Sequence, residues 1–155
     1  RPRRAARRRD HRVDGGDRAE PGRSRIGSSF GDRLDDDVDI LINNAGALTD
    51  KRHETVDGFE TTLGTNVLGP FALTNLLFAR VRSQIINVSS DGHRQATLRL
   101  DDMHLRHSKW TSMGAYTHSK LVMMLWGGLE LDRRLRAADS GVVTQLVHPA
   151  GWPPT

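Results

Sequence analysis

Residues Val38-Asp39-Ile40-Leu41-Ile42-Asn43-Asn44-Ala45-Gly46 decide the fold. Val38 to Ile42 is an almost unbroken apolar run, the composition of a strand buried on both faces of a parallel sheet. Asn43 to Gly46 then forms a tight polar turn at the strand's carboxyl end, the edge where open α/β sheets take their ligands. Two later stretches repeat the pattern. Gln84 to Val88 (QIINV) reads as a second buried strand and runs into Ser89-Ser90. Val142 to Val147 (VVTQLV) reads as a third, after the break at Gly141, and runs into His148-Pro149-Ala150-Gly151.

Helical periodicity fills the gaps, which makes the chain α/β. From about Asp57 to Arg82, Phe59, Leu63, Val67, Phe71, Leu73, Leu76 and Leu77 recur at helical spacing. Gly69-Pro70 interrupts them. Proline has no N–H, so the carbonyl of Asn66, four residues earlier, loses its helical donor; a bend and a free acceptor at Asn66 are expected. A second helix is predicted from about Ser112 to Arg136, with Leu121, Val122, Leu125 and Leu129 on its apolar face. Its Glu130 and Arg134 are an i,i+4 pair, and Arg133, Arg134 and Arg136 suit the negative end of the helix dipole. Gly127-Gly128 either permits a close approach or weakens the helix by roughly 1 kcal/mol per glycine. Ser28 to Leu34 reads as a short additional helix capped by Ser28 or Ser29.

The second long helix carries the chemistry. Tyr116 and Lys120 are four residues apart and share one helix face. A fixed cation beside a phenol favours phenolate, which makes Tyr116 a proton acceptor and donor. A serine hydroxyl at the end of the adjacent strand would hold a substrate oxygen beside it. That is the layout of a site that moves a proton on or off an alcohol or carbonyl.

At 155 residues, the chain suffices for one domain with a modest core. Hydrophobic content is 36%, below the globular range, and the charge map shows where the deficit lies. Residues 1–25 carry 10 arginines against 4 acidic residues; the remainder carries 13 basic against 15 acidic. Residues 1–27 are therefore expected to be a basic, disordered tail, and 28–155 the folded domain. Such a tail would suit an anionic partner such as nucleic acid, but it lacks aromatics to stack bases and any recognisable motif. There are no cysteines, hence no disulfide framework and no thiolate metal site. His93, His104 and His107 lie in the long connection from Asp91 to Thr111 at spacings that suit no metal motif. No apolar run approaches bilayer-spanning length, and the expected setting is cytoplasmic.

With strand–Asn-Asn-Ala-Gly, strand–Ser-Ser, Tyr-x-x-x-Lys and strand–His-Pro-x-Gly in this order, roughly residues 32–155 resemble the short-chain dehydrogenase/reductases. The likeness is to their retinol-dehydrogenase-like branch, through DILINNAG, TNVLGPF, IINVSSDGH and AYTHSKL. The resemblance implies a doubly wound Rossmann-type parallel sheet and hydride transfer between NAD or NADP and a lipophilic alcohol or carbonyl. By position it implies Tyr116 as acid/base, Lys120 beside it on the nicotinamide ribose, Ser90 on the substrate oxygen, and the Asn66 carbonyl on a relay water. It likewise implies Asn43, Ala45 and Gly46 on the adenosine side of the cofactor, with Pro149 and Gly151 on the nicotinamide side.

Departures from the pattern shape the remaining expectations. No strand–Gly-rich turn–helix for a pyrophosphate occurs in the chain, and His-Pro-Ala-Gly carries one residue more than the usual His-Pro-Gly. The chain therefore reads as incomplete at both ends: a partial sheet of about three strands with helices mainly on one face. Right-handed crossovers stepping one way along the sheet leave the other face bare and open to self-association or aggregation. Two alternatives to a dehydrogenase remain open: a truncated, non-catalytic interaction partner, and a nucleic-acid binder acting through the basic tail.

Overall fold

The computed structural model describes residues 36–149. The tail at 1–27, the Ser28–Leu34 helix and the positions of Ala150 and Gly151 lie outside them.

Three strands form one parallel sheet in the order β1 (Val38–Asn43), β2 (Val81–Val88), β3 (Val143–Val147). The first crossover comprises α1 (Thr61–Leu63), a π-helical turn over Gly64–Leu68, α2 (Gly69–Leu77) and a short 3-10 turn. The second contains α3 (Ser112–Met123), a π-helical stretch over Met124–Glu130 and α4 (Leu131–Ala137). The expected bend before Pro70 thus takes the form of a wider turn, in which the Gly69 N–H bonds Gly64 O.

Two expected boundaries move. The first helical segment starts at Thr61 rather than Asp57, because Gly58 at φ 78° and the Thr55–Phe59 turn precede it. Glu60 supplies the cap: its carboxylate accepts from Thr62 N at 3.2 Å and Leu63 N at 2.7 Å. At the other end, β2 begins at Val81 instead of Gln84, so Arg82 is in a strand. Burial of Val81 against the core draws it into the sheet and outweighs the helical spacing.

The core is small. Leu41, Leu77, Val81 and Ile85 are buried together, with Val38, Leu73, Leu131 and Val142 packed around them. Both crossovers lie on this side of the sheet, since Leu73 comes from the first and Leu131 from the second. On the opposite side Ile40, Ile42, Val143 and Val147 are exposed, Ile42 by 57%. The apolar run that suggested burial on both faces is covered on one face only by the described residues.

A buried polar ladder crosses the covered face. Asn43 Nδ2 donates to Thr74 Oγ1 at 3.0 Å and to Asn87 Oδ1 at 2.8 Å. Asn87 Nδ2 donates in turn to Gly127 O at 2.9 Å and Thr144 Oγ1 at 3.2 Å. Gly127 is needed for that approach, because a Cβ there would lie 2.8 Å from Asn87 Cγ. Gly128 is not under the same constraint: its Cβ would meet Leu146 at an ordinary 3.5 Å. The two adjacent glycines therefore have different reasons to be there.

Candidate active site

The parallel strands all end on one edge, and the turns leaving β1 and β2 meet α3 there. An open cleft of about 340 Å³ lies between them. Gly46, Ser90, Tyr116, Lys120 and Pro149 line it together, from four segments of the chain. A second cleft, of about 300 Å³, has Asn43, Asn44 and Ala45 in its wall beside Thr65 and Pro70. The Asn-Asn-Ala-Gly turn is thus shared by two clefts. Gly151 lies outside the described residues.

The phenol and the ammonium are one helical turn apart, with Lys120 Nζ 5.6 Å from the centre of the Tyr116 ring. Lys120 is no surface charge. It is 4% exposed, and Nζ donates to Val88 O, at the end of β2, at 2.9 Å. Burial holds its amine below the usual lysine range. The helix is fixed in turn by Ser89, whose hydroxyl donates to Lys120 O at 3.0 Å.

The neighbouring serines have separate surroundings. Ser89 is buried against α3, whereas Ser90 lines the cleft and accepts a bond from Gly92 N at 3.2 Å. That bond occupies an acceptor position of Ser90 Oγ and leaves its O–H available to donate. A Cβ built on Gly92 would lie 3.5 Å from Ser90 Oγ and 3.9 Å from Tyr116 Cε1. The hydroxyl and the phenol ring therefore flank the same small space.

Asn66 is fully buried behind this wall. Its amide pairs with the backbone of one residue, accepting from Ala47 N at 2.6 Å and donating to Ala47 O at 3.0 Å. Nδ2 also donates to Ser119 Oγ at 2.9 Å, and Ser119 Oγ donates to Tyr116 O at 2.7 Å. One side chain thereby joins the turn after β1 to the helix carrying Tyr116 and Lys120. Sequence reasoning pointed to the Asn66 carbonyl and missed this use of its side chain, along with Ser89 and Ser119. Periodicity carries no signal for bonds between residues 19 and 53 positions apart.

Asn43 differs from its expected surroundings in one respect. It borders the second cleft, but its amide nitrogen is committed to Thr74 and Asn87. Its Nδ2 belongs to the sheet's internal bonding.

No protein-family model matches the chain. Among curated proteins, it is 43% identical over 116 residues to retinol dehydrogenase 13 of Homo sapiens, covering 72% of this chain and 34% of that protein. It is 40% identical over 131 residues to polyprenol dehydrogenase of Mus musculus, covering 73% and 38%. The chain thus spans roughly a third of the length of these relatives. A crystal structure of an uncharacterised protein from Mycobacterium paratuberculosis superposes with a TM-score of 0.75 at 41% identity, covering 79% of this chain and 45% of that one. A short-chain dehydrogenase from Burkholderia cenocepacia, solved with NADP, shares the fold at a TM-score of 0.52 and 22% identity, covering 74% and 42%. By its ordered motifs, its partial Rossmann-type sheet and these relatives, the chain belongs to the short-chain dehydrogenase/reductase family.

Proposed function

We propose that this chain carries the proton-transfer end of an oxidoreductase that interconverts a lipophilic alcohol and its carbonyl with NAD or NADP. One observation carries the reading: Tyr116, Lys120, Ser90, Gly46 and Pro149 share one cleft at the carboxyl edge of a parallel sheet. Relatives named retinol and polyprenol dehydrogenases support an alcohol substrate. Solved neighbours with NADP or NADPH, including the Burkholderia dehydrogenase and a carbonyl reductase from chicken, support a nicotinamide cofactor.

The residues present fit the nicotinamide end of such a cofactor. Gly46, expected on the adenosine side, presents backbone without a side chain beside the ammonium: a Cβ there would stand 3.7 Å from Lys120 Nζ, the amine that would hold a ribose. The cofactor would supply the hydride acceptor or donor. The protein's own part is the proton. Tyr116 takes the hydroxyl proton as the alcohol is oxidised and returns it when the carbonyl is reduced. Ser90 donates its free O–H to the substrate oxygen, and Lys120, one helical turn from the phenol, would hold the nicotinamide ribose. Asn66 keeps the cleft's two walls in register through Ala47 and Ser119, and its carbonyl, which Pro70 cannot serve as donor, is the acceptor for a relay water.

Titration with NADH and NADPH, followed by nicotinamide fluorescence, tests the binding half. Tyr116→Phe tests the chemistry: turnover should vanish while cofactor binding persists. Failure to bind either nucleotide at millimolar levels removes the dehydrogenase reading for this chain. It would leave the second reading, a non-catalytic partner that associates through the bare face of Ile40, Ile42, Val143 and Val147.

A further inference from the structure

We propose that Glu60 is a positioning residue for the Tyr116 helix, acting through Trp110. Glu60 is 1% exposed, and its carboxylate accepts from three donors. Two of these, Thr62 N and Leu63 N, are explained by capping α1. The third, Trp110 Nε1 at 3.3 Å from Oε1, is not. Short side chains such as serine, threonine and aspartate normally cap helices. The extra methylene of glutamate lets one carboxylate cap α1 and also reach an indole 50 residues away in the chain.

Trp110 stands two residues ahead of α3, so its anchor sets where that helix begins. Thr111 then caps α3, accepting from Gly114 N at 3.0 Å, and the Ser112 hydroxyl bonds Thr49 O. Tyr116 follows four residues later. Three ties now join the segment after β1 to α3: Glu60 to Trp110, Thr49 to Ser112, and Asn66 to Ser119. Glu60 is itself immobilised, since its N–H donates to His104 Nδ1 at 3.3 Å and its carbonyl accepts from Gly64 N at 2.7 Å. A shift at Glu60 is therefore passed to the first turn of α3, and the phenol moves relative to Ser90 and the fixed end of β2.

Tyr116 is the only tyrosine in the chain, so protein labelled with 13C at tyrosine gives a single residue's ring signals. Trp110→Phe removes the indole N–H, and Glu60→Ala removes the acceptor; both should displace the Tyr116 ring signals from their wild-type position. Glu60→Gln keeps one acceptor oxygen for the indole while giving up the Leu63 cap, and should leave them near wild type. Leu77→Ala opens the core among Leu41, Val81 and Ile85, away from this tie, and should also leave them in place. The proposal is overturned if Trp110→Phe leaves the signals unmoved, or if Leu77→Ala moves them as far.

A kinetic arm rests on the dehydrogenase reading. There Trp110→Phe should lower kcat about 10-fold or more, with the nicotinamide KM little changed. If the protein binds no nicotinamide, that reading fails by itself, and the labelled-tyrosine comparison still decides the role of Glu60.

Discussion

Replacing each of two adjacent glycines by alanine should move stability in opposite directions. At Gly127 the new methyl would meet Asn87 Cγ at 2.8 Å, Asn87 Nδ2 at 3.0 Å and Met123 Sδ at 3.0 Å. Overpacking of this kind costs about 1–3 kcal/mol. Asn87 cannot retreat freely, because it holds Gly127 O at 2.9 Å and Asn43 at 2.8 Å, and a broken buried hydrogen bond costs about 1–3 kcal/mol more. Against this, alanine recovers about 1 kcal/mol of helix propensity. Gly127→Ala is thus expected to destabilise by about 1–5 kcal/mol. At Gly128 the nearest atom is Leu146 Cβ at 3.5 Å, so only the propensity gain remains, and Gly128→Ala should stabilise by up to about 1 kcal/mol. Equilibrium urea unfolding followed by tryptophan fluorescence would measure both, with equal m-values required for the comparison. Two variants within about 0.5 kcal/mol of each other, or a Gly127→Ala protein more stable than wild type, would refute the steric argument.

The lowered Lys120 value carries a sign for stability. The folded protein releases this proton before the unfolded chain does, so the unfolded state binds more protons between the lowered value and 10.5, and stability rises with pH across that window. Lys120→Met should lack this rise; parallel stability profiles from neutral pH to 10.5 for the two proteins would contradict it. On the bare face, Ile42→Lys puts a charge at a side chain 57% exposed, and sedimentation over a range of concentrations should show weaker self-association. Unchanged association would mean that contacts form elsewhere.

What was legible in the sequence follows the range of the interactions concerned. The three strands stood out because Val38–Ile42, Gln84–Val88 and Val142–Val147 are local apolar runs, and the structure keeps them with shifts of one residue to three. The pairing of Tyr116 with Lys120 was legible for the same reason, since four residues along a helix fix a direction. Gly127 and Gly128 were indistinguishable, because what separates them is Asn87, 40 residues away. Asn43 shows the limit most plainly. Its place in the Asn-Asn-Ala-Gly turn pointed to the cofactor, while the bonds of its amide nitrogen turn inward to Thr74 and Asn87. The bond from Lys120 Nζ to Val88 O was equally out of reach, because it joins residues 32 positions apart.

The amides of Asn43 and Asn87 have a consequence for how the sheet comes together. Greasy side chains tolerate sliding, since one aliphatic can replace another at modest cost, but a row of polar teeth fits in a single alignment. Slip either strand by one position and an amide is flung to the outer side, leaving its former mates dry and unanswered. The ladder acts as a key, so the tips of β1 and β2 arrive level with one another, and the mouth they frame takes its shape as the chain folds.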